Sequence, residues 1–100
     1  MADSIIAVLV SVDTPSIQGP LRYHGGYLRA TSGGTATADV LNGTSAGGQF
    51  RDGFRAVASE HDQHSFEKGI ECPAGIFVDL GSNVDQFVLY YSFPEPADGQ

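Results

Sequence analysis

The sequence of 100 residues has little positive charge, a single cysteine and no long apolar run. Five lysine and arginine residues stand against twelve acidic ones, and the formal net charge is −7. Because such a surface repels phosphate groups, we expect no binding to nucleic acid or to an anionic membrane. Arg51 and Arg55 form one local basic patch, which is the exception to this acidic surface. One cysteine, Cys72, excludes an intramolecular disulfide and a metal site made of cysteines alone.

The longest N-terminal apolar run, Ile5 to Val10, is too short to span a bilayer. It also lacks the positively charged start and the small-residue cleavage site of a signal peptide. We therefore expect a soluble protein that is made in a cytoplasm. The length fits one domain over residues 1–100, with flexible ends at 1–3 and 94–100.

Glycine is abundant, with thirteen residues, and short apolar runs alternate with turn signals. This pattern is typical of an all-β domain. Over 50–60 we favour a strand, although Phe50, Phe54 and Val57 also have helical spacing, because Gly53 weakens a helix by about 1 kcal/mol. Strands are predicted at 5–12, 21–24, 26–30, 35–41, 50–60, 65–72, 75–80 and 86–93, with a bend or bulge at Gly25-Gly26. Seven or eight such strands predict a small antiparallel β-sandwich of jelly-roll or immunoglobulin-like type.

The first predicted strand is apolar on both faces. One face carries Ile6, Val8, Val10 and Val12, and the other carries Ile5, Ala7 and Leu9. A strand of this kind needs cover on both sides, which is more than one small sheet provides. We therefore expect part of it to be buried against a neighbouring subunit.

Ser45 lies in Gly43-Thr44-Ser45-Ala46-Gly47, which matches the G-x-S-x-G pattern of a nucleophilic serine. That pattern requires a strand before the serine and a helix after it, in a fold with alternating strands and helices. Here Gly47-Gly48 is a poor helix start, and Asn42-Gly43 directly after an alternating strand is a hairpin signal. We predict that Ser45 belongs to a turn.

The other candidates for chemistry are two histidines and Cys72. His61 and His64 flank Asp62 and could contribute to a zinc site if they lie in a loop, but in a strand they would face opposite sides. We interpret the segment as a polar loop and leave the metal alternative open. Cys72 is interpreted as a small buried hydrophobe. Since no nucleophile, base and orienting group can be named together, we predict no enzyme, no cofactor and no metal.

The order of elements resembles small β-sandwich virion proteins of tailed bacteriophages, of the head decoration or cement type. The resemblance covers roughly residues 21–93 and lies in the segments GGYLRA, GGTATADVLNGTSAGG, ECPAGIFVDLGS and QFVLYYSF. It implies a structural protein located on the virion and made in the host cytoplasm. It also implies two partners: the major capsid protein on the outside of the head, and further copies of the chain, as a trimer.

Six residues are candidates for an oligomer or capsid interface: Ile5, Ala7, Leu9, Tyr23, Tyr27 and Phe77. The aromatic members of this set also permit an alternative function, which is a receptor- or carbohydrate-binding module of a phage tail or fibre. Ordinary core packing competes with both uses, because aromatic side chains dominate core burial.

Overall fold

The computed structural model describes residues 5–10 and 17–93. In these two ranges the chain forms seven strands and no helix. The described residues therefore contain no helix that could cross a bilayer. The strands are β1 Ile6–Val10, β2 Leu21–Ala30, β3 Ala36–Asn42, β4 Gln49–Ala56, β5 His61–Cys72, β6 Ile76–Leu80 and β7 Val84–Ser92. The expectations for residues 1–3, for 11 and 12 of the first strand and for 94–100 lie outside the described residues.

The described strands form two antiparallel sheets, which confirms the predicted β-sandwich. Sheet A has the order β1-β7-β2-β5, and sheet B has the order β4-β3-β6. The core lies between them and contains residues from both, including the fully buried side chains Tyr23, Leu28, Val40, Val78, Phe87 and Leu89. Burial of each such aliphatic or phenylalanine side chain stabilises the fold by about 1.5–3 kcal/mol.

Strand β3 shows the alternation that the sequence predicts. Ala36, Ala38 and Val40 are fully buried, whereas Thr37 and Asp39 are exposed. The predictions of strands over 50–60 and 65–72 are also confirmed in their main parts by β4 and β5.

Strand β2 runs without a break from Leu21 to Ala30, but its pairing register shifts between Tyr23 and Gly25. Gly25 has φ +120°, and a Cβ there would collide with the carbonyl oxygen of His64. Only glycine fits this position without strain. The predicted bulge is confirmed, and it joins the two segments that we had expected as separate strands.

The interpretation of His61–His64 as a loop is wrong, because these residues begin β5. His61 pairs with Arg29 and His64 pairs with Gly26 across the β2–β5 ladder. Main-chain hydrogen bonds hold this segment in the sheet, and an edge strand tolerates polar side chains on its solvent side. Composition alone therefore gave the wrong assignment here.

Candidate functional site

Strand β1 and the residue before it carry a row of exposed apolar side chains at an edge of sheet A. Ile5 and Leu9 are 56% and 60% exposed, and Ala7 between them is also exposed. On the other face of the strand, Val10 is buried and Val8 packs against the core. The face predicted to carry Ile6, Val8 and Val10 is thus covered at Val8 and Val10, whereas Ile6 is 37% exposed, and the face of Ile5, Ala7 and Leu9 is exposed.

The open side of β1 continues across sheet A. Leu9 pairs with Val88, which pairs with Tyr27, and Ala7 pairs with Tyr90. We call this surface the β1 face and define it as Ile5, Ala7, Leu9, Tyr27, Val88 and Tyr90. It contains no charged side chain, and the ring of Tyr27 is braced by His61 at a centroid distance of 5.4 Å. Uncharged apolar surfaces of this kind are typical of protein contacts.

Four of the six predicted interface residues lie on the β1 face: Ile5, Ala7, Leu9 and Tyr27. Tyr23 does not, and its assignment to an interface is wrong, because its side chain is 0% exposed and packs in the core. In a regular strand Tyr23 and Tyr27 would share one face, since side chains repeat every two residues. The bulge at Gly25 inserts one residue between them and turns Tyr23 inwards.

Phe77 belongs to a different surface from the other candidates. It is partly buried on the outer side of sheet B, where it pairs with Leu41. Leu41 also pairs with Phe50, which is 61% exposed. The predicted interface set therefore divides among the outer side of sheet A, the outer side of sheet B and the core.

A polar cluster links the two sheets at the side formed by β4 and β5. Asp52 of β4 accepts a hydrogen bond from Tyr23 Oη at 2.7 Å through Oδ2, and the same oxygen lies 2.7 Å from His64 Nδ1. The other ring nitrogen of His64, Nε2, lies 3.3 Å from Asp62 Oδ2. Phe54 stacks on the His64 ring with a centroid distance of 4.1 Å. We call these residues, Tyr23, Asp52, Asp62 and His64, the polar cluster.

The polar cluster is arranged to hold the sheets together. Both ring nitrogens of His64 face a carboxylate: Nδ1 is hydrogen-bonded to Asp52, and Nε2 lies 3.3 Å from Asp62 Oδ2. Because Asp52 and Asp62 lie at opposite nitrogens, their carboxylates do not converge on a common point. Burial, and next the hydrogen bond to Asp52, raise the pKa of Tyr23 well above its usual range. Tyr23 is therefore kept as a proton donor to Asp52.

The two histidines of the HDQH segment do not meet. His61 lies on the outer side of sheet A against Tyr27, whereas His64 lies under Phe54. The two rings thus lie on opposite sides of the strand, as the sequence predicts for two histidines three residues apart in a strand. In residues 5–10 and 17–93 no group of three or more histidine, cysteine or acidic side chains could hold a metal ion.

A second buried polar pair involves His24 and Ser92. His24 Nδ1 lies 3.0 Å from the carbonyl oxygen of Phe66, and Nε2 lies 2.8 Å from Ser92 Oγ. Since a carbonyl oxygen only accepts, Nδ1 carries the proton, and in the neutral ring Nε2 accepts from the serine. Ser92 is 0% exposed, so this serine–histidine pair leaves no room for a substrate.

Ser45 and Cys72 occupy the positions that the sequence predicts. Ser45 lies in the loop between β3 and β4, where its Oγ accepts from Gly47 N–H at 3.2 Å and its carbonyl from Gly48 N–H at 3.0 Å. Strand β4 follows at once in place of a helix, which confirms the turn. Cys72 is fully buried, and burial raises the pKa of its thiol.

Comparisons with known proteins found no matching family model and no matching curated sequence. The β1 face and the polar cluster are therefore the two features of the molecule that bear on its function. The apolar pattern of β1 is visible in the sequence, whereas the polar cluster is not. Asp52 and His64 belong to different sheets, and no spacing rule connects them.

Proposed function

We propose that this chain is a structural virion protein of the capsid decoration type, which binds the outer surface of a phage head and bridges major capsid subunits. The observation that carries the proposal is the exposed, uncharged β1 face at an open sheet edge. Apolar surface removed from water contributes about 25 cal/mol per Å². Covering Ile5 and Leu9 with a protein partner therefore favours association.

The polar groups support a role based on surfaces. In the polar cluster and in the His24–Ser92 pair, hydrogen-bonding atoms are directed at one another. Groups used in this way stabilise and orient strands, since buried polar groups require partners. The β1 face, by contrast, is exposed and has no charged side chain, which suits it to contact with a partner.

The nature of the partner rests on the resemblance to decoration proteins over residues 21–93. Such a protein stabilises a shell by mass action, because it binds the assembled form and not the free subunits. Several copies joined together would bind neighbouring capsid subunits at once, which raises avidity far above that of one contact. The chain thus needs a contact to the shell and a contact to itself.

Co-sedimentation with heads assembled from the major capsid protein of the same genome tests this function. We expect saturable binding of the wild type and at least tenfold weaker binding of Leu9→Lys, because a desolvated unpaired charge is costly. Phe50→Lys is a matched control, since Phe50 is 61% exposed on the opposite sheet and Leu9 is 60% exposed. A wild type that does not sediment with heads would refute the proposal.

The alternative function, a carbohydrate- or receptor-binding module, relied on Tyr23, Tyr27 and Phe77. These three residues lie in the core, on the outer side of sheet A and on the outer side of sheet B. A sugar-binding platform needs aromatic rings on one accessible surface. The observed distribution therefore favours the structural role.

A further inference from the structure

Strand β1 has hydrogen-bonding capacity on its outer edge. It pairs on one side with β7, from Ile6 opposite Tyr91 to Val10 opposite Phe87. Within the described residues no strand pairs with its other side. An edge strand presents unpaired N–H and C=O groups along that side, which form a template for another strand.

We infer that this edge pairs antiparallel with β1 of a second copy, related by a two-fold axis normal to the sheet. Sheet A then continues through both copies as eight strands. A two-fold axis makes the contact isologous, so that the same short segment serves on both sides. The significance of this dimer for the head rests on the proposed function.

The distribution of charge favours a second copy of the chain as the partner that pairs with this edge. The chain carries net charge −7, so two copies repel each other unless they meet at an uncharged region. Residues 5–10, IIAVLV, have no charged side chain. The charges of sheet A are concentrated in β5, at the opposite edge. Pairing through β1 therefore separates the charged edges of the two copies as far as the sheet permits.

The other three sheet edges are less suited to such pairing, and on sheet B the edge strand β4 carries Arg51, Asp52 and Arg55. Strand β5 carries Asp62, Glu67, Lys68 and Glu71, and charged side chains protect an edge against a further strand. On sheet B, β6 is bridged by Ile17, with Ile17 N–H bonded to Ile76 O at 2.9 Å. Among the strands that the structure describes, β1 combines an open edge with apolar side chains and no charge.

Pairing through β1 also enlarges the surface available to a partner. A two-fold axis normal to the sheet keeps the outer sides of both copies on the same side of the new sheet. The two β1 faces then adjoin and form one apolar platform. Directly opposed residues in antiparallel strands lie about 4.5–5.5 Å apart, so Leu9 of one copy would lie beside Ile5, Ala7 or Leu9 of the other. The resemblance implies a trimer, whereas this geometry gives a dimer.

Sedimentation velocity over a wide range of protein concentration tests the inference. We expect the wild type to pass from monomer to dimer, and Leu9→Lys and Ile5→Lys to remain monomeric, since each places an unpaired charge in the apolar contact between the two copies. Phe50→Lys should dimerise like the wild type. Far-UV circular dichroism and urea unfolding of each variant verify that the fold is retained.

A wild type that stays monomeric or forms trimers would overturn the inference, and so would a Leu9→Lys variant that dimerises normally. The head-binding assay separates this result from the proposed function. A monomer that binds heads would refute the dimer alone. A dimer that ignores heads would refute the function alone.

Discussion

The two edge strands of sheet A, β1 and β5, differ in their contacts with the rest of the chain. The β5 edge is fastened to β4 of sheet B by three hydrogen-bonded links: Arg51 Nε to Glu71 O at 3.1 Å, Asp52 Oδ2 to His64 Nδ1 at 2.7 Å, and Arg55 N to Asp62 Oδ2 at 3.1 Å. At the β1 edge, by contrast, the described strand is short, uncharged and apolar, with Ile5 and Leu9 exposed.

This difference indicates that the edges serve different purposes. A sheet edge is a liability, and natural proteins protect it with charges, bulges or cover. Strand β5 has charges, and its pairing with β2 contains the bulge at Gly25. Since β1 has neither charge nor bulge in its pairing with β7, we infer that its protection comes from a partner. The β5 side should therefore determine folding stability, and the β1 side should determine assembly.

The largest expected effect is on the β5 side. Asp52→Ala removes the acceptor of the buried Tyr23 hydroxyl and of His64 Nδ1. A buried donor without a partner costs about 1–3 kcal/mol, which applies to the Tyr23 hydroxyl, and the loss at the partly exposed His64 adds to it, so we expect the free energy of unfolding to fall by about 3 kcal/mol. Urea denaturation measures this change.

Asp85→Ala is the matched control for that variant. Asp85 is exposed and pairs with Arg29 at 3.6 Å, and an exposed ion pair contributes about 0.5 kcal/mol or less. If Asp52→Ala were as mild as Asp85→Ala, the polar cluster would not fasten this edge.

Tyr23→Phe should lower the free energy of unfolding less, by about 1 kcal/mol at neutral pH, because Asp52 keeps His64 and the Gly53 N–H as partners. The variant should also change the response to alkali. The folded state raises the pKa of Tyr23, so its contribution is complete below the unfolded value of about 10 and is lost as pH rises above it.

Unfolding free energies measured on both sides of pH 10 test this statement. The wild type should lose stability more steeply than Tyr23→Phe. Cys72 contributes with the same sign, since burial raises the pKa of its thiol, but it is common to both proteins. If the unfolding free energies of the wild type and Tyr23→Phe fell equally steeply with pH, the Tyr23 phenol would ionise in the folded state as readily as in the unfolded chain.

The smallest expected effect is on the β1 side. Leu9→Lys should change the unfolding free energy of the dilute monomer by less than about 0.5 kcal/mol, because exposed substitutions away from caps and networks have little effect. Phe50→Lys should behave in the same way. A large loss for Leu9→Lys in the monomer would mean that β1 is already covered within its own chain.

The sequence predicts the fold well where one side of a strand is buried and the other is solvated. Strand β3 is the best example, since Ala36, Ala38 and Val40 alternate with polar residues and all three are buried. The bulge at Gly25 was predicted as well, but its consequence for Tyr23 was not. One inserted residue reverses the direction of every side chain before it relative to those after it.

The polar cluster could not be predicted from local patterns. Asp52 and His64 lie on strands that share no ladder and meet only because the two sheets pack face to face. The polar start of β5 was misread for a related reason. Its place in the sheet is set by main-chain pairing with β2, which leaves no trace in side-chain polarity.

Amide hydrogen exchange at low and high protein concentration tests the central claim most directly, because both edges of sheet A are compared in one experiment. Exchange of the β1 amides should slow as concentration rises, while exchange of the β5 amides stays constant. Equal behaviour of the two edges, or slowing confined to β5, would contradict the account.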